Sequence, residues 1–159
     1  MRYFLLFLTC VAGLAAAEKP CPFCEIAAGR LEASMIWRDD TVMAFLSIGQ
    51  RNPGHVLVVP VQHAAGVLDL PVATAHHMFD VAQRMARAIK KTDLVAEGFT
   101  LKMNTGAAAG QTVFHAHLHV IPRFAAEPPE PPPGTHIAKA LLDPIADKIR
   151  AQLDQSTAP

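Results

Sequence analysis

Apolar positions along the chain fall into short blocks separated by turn-forming residues. Residues 42–46 form an unbroken apolar run, and residues 55–59 form a Val-rich run bounded by Asn52-Pro53-Gly54 and Pro60. Both read as buried strands, since β-branched residues suit a pleated surface and Gly and Pro mark its ends. A further run at 35–37 precedes the first, with Asp39 and Asp40 placed to turn a hairpin between them. Strands are also expected at 99–103, after Gly98, and at 114–122.

Between these blocks the periodicity changes. Val72, Ala75, Met78, Phe79, Ala82, Met85, Ala86 and Ile89 recur at helical spacing, with Asp69 as N-cap and Pro71 in the first turn. Arg87, Lys90 and Lys91 suit the negative end of that helix. A short helix and turn are expected after Cys21, and an amphipathic helix over 137–153. The segment EPPEPPPG at 127–134 sustains neither helix nor central strand and reads as a stiff linker. Strands outnumber helices without a βαβα alternation, so the pattern predicts an antiparallel α+β domain.

The N-terminus is of another kind. After Met1 and Arg2 an apolar stretch runs over residues 3–17 and ends in Ala15-Ala16-Ala17, just before Glu18 and Lys19. That order of charge, apolar run and small residues is a secretory signal peptide, and the stretch is short of the roughly 20 residues that span a bilayer. Thr9 stands before Cys10, where a lipoprotein signal places a small residue, so no lipidation is expected. The expectation is an exported protein, periplasmic or secreted, with no stable membrane association after cleavage. A cytoplasmic or membrane-anchored protein is the alternative. The organisation that follows is a signal peptide at 1–17, one domain at 18–126, the linker at 127–134 and a helical tail at 135–159. At 159 residues the chain can bury one core, and 14 basic against 14 acidic residues argue against an electrostatic nucleic-acid binder.

Three of the eight histidines fall within five residues, in QTVFHAHLHVIPR at 111–123. On a strand, His115, His117 and His119 project to one face while Ala116, Leu118 and Val120 project to the other. A neutral imidazole is nucleophilic near pH 7 and its phosphoryl adduct is labile, while a neighbouring imidazole can protonate a leaving group. The preceding loop, Asn104 to Thr112, offers small residues and then amide and hydroxyl groups suited to phosphate oxygens. The same histidines could instead gather a divalent ion at an edge strand.

This alternating motif, with GQTVF before it and IPR after it, resembles the histidine-triad (HIT) family. The resemblance extends through CPFCEIAAG, DDTVMAFL, PGHVLVVP and MNTGAAAGQTVFHAHLHVIPR, from about Cys21 to Arg123. It implies a five-stranded antiparallel sheet with one long helix, to which this chain adds a C-terminal helix, and a homodimer with continuous sheets. It also implies hydrolysis or nucleotidyl transfer at the α-phosphate of a nucleoside 5′-phosphate conjugate, a phosphoramidate or a dinucleoside polyphosphate, with no organic cofactor. His117 would be the nucleophile and would carry the covalent nucleotidyl group. His55 and His119 would bind phosphate and handle the leaving-group proton. Asn104, Gln111 and Thr112 would hold phosphate oxygens, and Phe23, Ile26, Phe45 and Ile48 would wall the nucleoside, unless these apolar residues are simply core.

One departure stands out. Where the family reads Asp-Ile, with the carboxylate on the ribose hydroxyls, this chain has Ser47-Ile48. Losing a charge-assisted hydrogen bond costs about 1.5 to 3 kcal/mol. An exported protein that binds nucleotide or metal but turns over poorly is therefore the alternative to an enzyme.

Cys21 and Cys24 have the spacing that brings two thiolates to one zinc ion. The resemblance completes such a structural site with His63 and His115, which would make His115 a ligand rather than a catalytic group. In an exported protein the same pair can form a disulfide instead, and Cys-Pro-Phe-Cys also resembles a redox motif, although no strand precedes it here.

Overall fold

The computed structural model describes residues 20–125, 127 and 134–153. The expected signal peptide and most of the Pro-rich linker lie outside these residues. No helix among the described residues is long and apolar enough to cross a membrane.

The elements are α1 (Pro22–Ala27), β1 (Met35–Arg38), β2 (Val42–Leu46), β3 (Gly49–Gln50), β4 (Val56–Pro60), α2 (Val72–Lys90), β5 (Gly98–Met103), β6 (Leu118–Arg123), β7 (Thr135–His136) and α3 (Lys139–Arg150). Five strands form one antiparallel sheet in the order β1-β2-β4-β6-β5, and β3 pairs with β7 in a separate ribbon. The expected α+β architecture, with one long helix and a further C-terminal helix, is the one observed.

Alternation explains why β2 and β4 are buried on both faces. Val42, Ala44 and Leu46 of β2, with Val56 and Val58 of β4, pack beneath α2 residues Met78, Val81, Ala82, Met85 and Ile89. Met43, Phe45, Leu57 and Val59 point the opposite way and pack with Phe23 and Ile26 of α1. In the β4–β6 register His119 stands opposite Leu57, so it shares this second face. The sheet thus gives one face to the main core and the other to the site.

Helix α2 begins later than the sequence suggests. Pro71 occupies the N-cap, while the Asp69 carboxylate accepts the Gly66 N–H at 3.1 Å and closes a separate turn before the helix. Val72 and Phe79, expected on the apolar stripe, are 70% and 59% exposed, and Val81 and Ala88 are buried in their place. The stripe over the sheet runs 78, 81, 82, 85, 88, 89, which turns Phe79 outward. Helix α3 starts at Lys139 rather than 137 and inserts Leu142, Ala146 and Ile149 into the main core. The Ser34 hydroxyl, donating to the Asp143 carboxylate at 2.7 Å, holds α3 to the segment before β1.

Candidate active site and metal centre

The last strand of the histidine motif begins at Leu118, not at 114. Upstream, the His115 N–H bonds the Val113 carbonyl at 2.8 Å and the Ala116 N–H bonds the Ala64 carbonyl at 2.7 Å. Local turning and the loop after β4 therefore satisfy backbone groups that a longer strand would have paired with β4. The three imidazoles still converge on one side. Phe23 meets His115 and His117 edge-on at centroid distances of 5.7 and 5.3 Å, and the His117 and His119 rings lie 4.8 Å apart.

His117 is 6% exposed. Its Nδ1 lies 2.7 Å from the carbonyl oxygen of His115. A carbonyl only accepts, so Nδ1 carries the proton and Nε2 presents its lone pair. Burial lowers the pKa of this imidazole, opposed by the same carbonyl, which favours the charged form.

His55 and His119 form a linked pair, with Nε2 of His55 2.9 Å from Nδ1 of His119, so the two nitrogens share one proton between them. Desolvation pushes His55 down to about 4, partly offset by the Gly49 carbonyl, and Arg51 and His117 lower it further. His119 is pushed down to about 3, first by burial and then by His55, His117, Lys102 and Arg51. The turn that delivers His55 depends on Gly54, whose φ is +85° and where a Cβ would stand 2.8 Å from Leu94.

A cleft of about 190 Å³ opens beside His117 and His119, and Asn104, Thr112, Lys102 and Arg51 contribute to its walls. Asn104 and Thr112, two of the residues expected to hold phosphate, line this cleft. Gln111 is placed differently. Its side-chain carbonyl accepts the Gly106 N–H at 2.7 Å, and its NH2 donates to the Ala65 and Val113 carbonyls at 2.7 and 3.0 Å. These bonds fix the loop and use both amide protons.

The expected nucleoside wall divides in two. Phe23, Ile26 and Phe45 pack together as the second core, whereas Ile48 is 58% exposed. Ser47 is buried, with its hydroxyl donating to the Gly49 carbonyl at 3.3 Å and accepting the Gly49 N–H at 3.2 Å. Lys102 and Arg51 were not legible as site residues. Neither belongs to a motif, and Lys102 reaches the cleft only because β5 pairs with β6.

On the far side of Phe23, Cys21, Cys24, His63 and His115 place one ligand atom each within 4.8 Å of one another. The two sulfurs are free thiols rather than a disulfide. His115 Nδ1 lies 3.4 Å from Cys21 Sγ, 3.5 Å from Cys24 Sγ and 3.3 Å from His63 Nδ1, and Cys24 Sγ lies 3.4 Å from His63 Nδ1. A tetrahedral zinc ion with ordinary bond lengths sets S···N edges of about 3.5 Å and N···N edges of about 3.3 Å. The donor set and its spacing fit that ion. Nε2 of His115 lies 2.9 Å from the Pro60 carbonyl and so carries the proton, leaving Nδ1 free to ligate.

Residues 28–126 match the HIT domain family. The chain belongs to the HIT family. Among curated relatives of this HIT chain, an uncharacterized HIT-like protein of Mycobacterium tuberculosis is 43% identical over 103 residues, 65% of this chain and 71% of that protein. Adenylylsulfatase HINT3 of Arabidopsis thaliana is 32% identical over 106 residues, 67% of this chain and 53% of that protein. A crystal structure of a Zn-bound histidine triad family protein from Mycobacterium smegmatis superposes with a TM-score of 0.73 at 34% identity, covering 84% of this chain and 93% of that one.

Proposed function

We propose that this HIT protein cleaves nucleoside 5′-phosphate conjugates at the α-phosphorus through a covalent nucleotidyl intermediate on His117. The observation that carries the reading is the 2.7 Å bond from Nδ1 of His117 to the His115 carbonyl, which fixes the tautomer and aims Nε2 at the cleft. Burial keeps the imidazole neutral, and a neutral imidazole is the nucleophilic form. Nε2 attacks phosphorus and the leaving group departs with its bonding electrons. Water then forms the new P–O bond, the P–N pair returns to Nε2, and a nucleoside monophosphate is released. During both steps His119, Asn104 and Thr112 hold non-bridging oxygens. His55 keeps His119 in place and shares its proton.

Cys21, Cys24, His63 and His115 would hold a structural zinc ion. Bound there, it supplies a cross-link between the α1 segment, the loop after β4 and the residue whose carbonyl orients the nucleophile. Residues 1–17 support export of the mature protein. A homodimer would form on the β5 edge. That edge carries the 38% exposed Leu101, whereas α3 packs beside β1 at the opposite end of the sheet.

Purified protein lacking residues 1–17 should turn over adenosine 5′-phosphoramidate, diadenosine polyphosphates or adenylyl sulfate, and His117→Ala should lose at least 1,000-fold in kcat, on the order of one removed nucleophile. An acid-labile nucleotidyl adduct on His117 should appear by mass spectrometry. Wild-type turnover in His117→Ala would remove His117 from the chemistry. A binding protein with little turnover is the second reading, favoured by the Ser47 hydroxyl being engaged with Gly49; nucleotide binding by calorimetry without product distinguishes it.

A further inference from the structure

In the β5–β6 ladder Lys102 stands directly opposite His119. Opposed residues of an antiparallel pair project to the same face with Cβ atoms about 4.5 to 5.5 Å apart. Lys102 and His119 accordingly line the same cleft as His117. Arg51, from the turn between β3 and β4, contributes a second cation to that cleft, and the described residues that line it include no carboxylate. Both cations act on His119 strongly enough to lower its pKa beyond the effect of burial.

This arrangement is more than the α-phosphate needs. In the mechanism proposed above, the single negative charge of the α-phosphate is met by His119, Asn104 and Thr112. Two cations in the cleft of the nucleophile are suited to a conjugate that carries negative charge beyond the α-phosphate, as one with an oxyanion leaving group does. A neutral amine gains nothing from them and is electrostatically disfavoured once protonated.

We infer that Lys102 and Arg51 form an oxyanion subsite for the leaving group, making the protein selective for conjugates that expel sulfate or a phosphate chain over those that expel an amine. This rests on the reading of His117 as the nucleophile. With a phosphosulfate anhydride such as adenylyl sulfate, Nε2 forms the P–N bond as the bridging P–O bond breaks, and the electron pair leaves on sulfate as the dianion. Water then forms P–O, the P–N pair returns to Nε2, and one water proton is released with the nucleoside monophosphate. The departing oxyanion needs no proton, so positive charge serves it better than a general acid.

The test compares kcat/KM for adenylyl sulfate, diadenosine tetraphosphate and adenosine 5′-phosphomorpholidate in wild type, Lys102→Met, Lys102→Arg and Arg51→Met/Lys102→Met. The ratio of each oxyanion substrate to the morpholidate should fall about ten- to a hundredfold in Lys102→Met, the size of one charge-assisted contact, and recover in Lys102→Arg. It should fall further in the double variant, and added salt should lower it in wild type more than in Lys102→Met. A ratio unmoved by either variant overturns the subsite. A loss for sulfate alone or for the tetraphosphate alone identifies which oxyanion the subsite serves. Calorimetry with inorganic pyrophosphate provides a readout without turnover. If wild type cleaves none of the three but binds pyrophosphate at least tenfold more tightly than the double variant, the subsite stands and the enzymatic reading fails. Equal binding refutes the subsite whatever the activity.

Discussion

The His55–His119 pair makes stability depend on pH in a calculable direction. Both imidazoles are pushed down, from 6.5 to about 4 and to about 3, with burial the largest cause for each. Arg51, Lys102 and His117 face them, and all act in the same sense. A group with a depressed folded pKa binds its proton less readily in the native state. Between about pH 4 and 6.5 the unfolded chain therefore holds more protons, and native stability rises with pH across that window. The contribution is fully present above pH 6.5 and is lost as pH falls through the folded values. For His55 alone, lowering pH from 7 to 4.5 removes on the order of 2.5 kcal/mol. That is a sizeable part of a typical total of about 5 to 15 kcal/mol. The pair is close enough to share a proton, so the effect belongs to the pair rather than doubling.

Urea unfolding followed by circular dichroism at pH 7.0 and 4.5 measures this directly. His55→Gln/His119→Gln replaces both titrating rings with neutral amides and leaves every other histidine in place, so the remaining titrations cancel in the comparison. The wild type should lose about 2 to 3 kcal/mol more than the double variant over that interval. Parallel losses within about 0.5 kcal/mol would show that neither histidine is held neutral by the fold, and with that the electrostatics argued for the cleft would fail.

Two further outcomes follow from the same contacts. Removing the metal with a chelator, or Cys24→Ser, should lower the melting temperature and release one zinc ion per chain by atomic absorption; a zinc content below about 0.2 per chain in freshly purified protein would count against the tetrahedral site. Ile149→Ala should destabilise by about 2 to 5 kcal/mol in urea melts, because Ile149 is fully buried in the main core; a change under about 0.5 kcal/mol would mean that α3 does not belong to the folding unit.

How far the sequence foretells this arrangement depends on the range of the interaction. Strand β2 and its Asp39 turn are legible because they are local: an apolar run is bounded by a carboxylate that accepts the Thr41 and Val42 N–H groups at 2.8 and 2.7 Å. The shared side of His115, His117 and His119 is legible from their alternate spacing, even though the chain bends at 113–115 and ladder pairing starts only at Leu118. The role of Lys102 is not, since it depends on which residue of β6 lies across from it. Gln111 shows a different limit. Its amide beside the histidines suits a phosphate contact, but two backbone groups of its own loop and the neighbouring Ala65 carbonyl reach it first. The outward turn of Phe79 likewise reflects how α2 is rotated on the sheet, which the helical period does not specify.

Ser47 illustrates why a departure from a family pattern is better interpreted with its surroundings. Its hydroxyl bonds both backbone groups of Gly49, and Gly49 pairs with His136 of β7. The Ile137 N–H bonds the Ile48 carbonyl at 2.8 Å, and a Cβ at Gly134 would stand 2.4 Å from the Gly49 carbonyl oxygen. The segment entering α3 thus lies directly along residues 47–50, where the resemblance places ribose recognition. A short hydroxyl closes this turn by bonding within it, whereas an ionised carboxylate would bring a charge that neither Gly49 nor the β7 backbone neutralises. Ser47 and the segment entering α3 are therefore parts of one local structure: the turn that carries Ser47 is the turn on which β7 is seated. On the reading proposed above, Lys102 and His119 lie across from each other on the β5–β6 pair, apart from this turn, whereas Arg51 follows it directly, so the turn that seats β7 also places one of the two cations of the cleft.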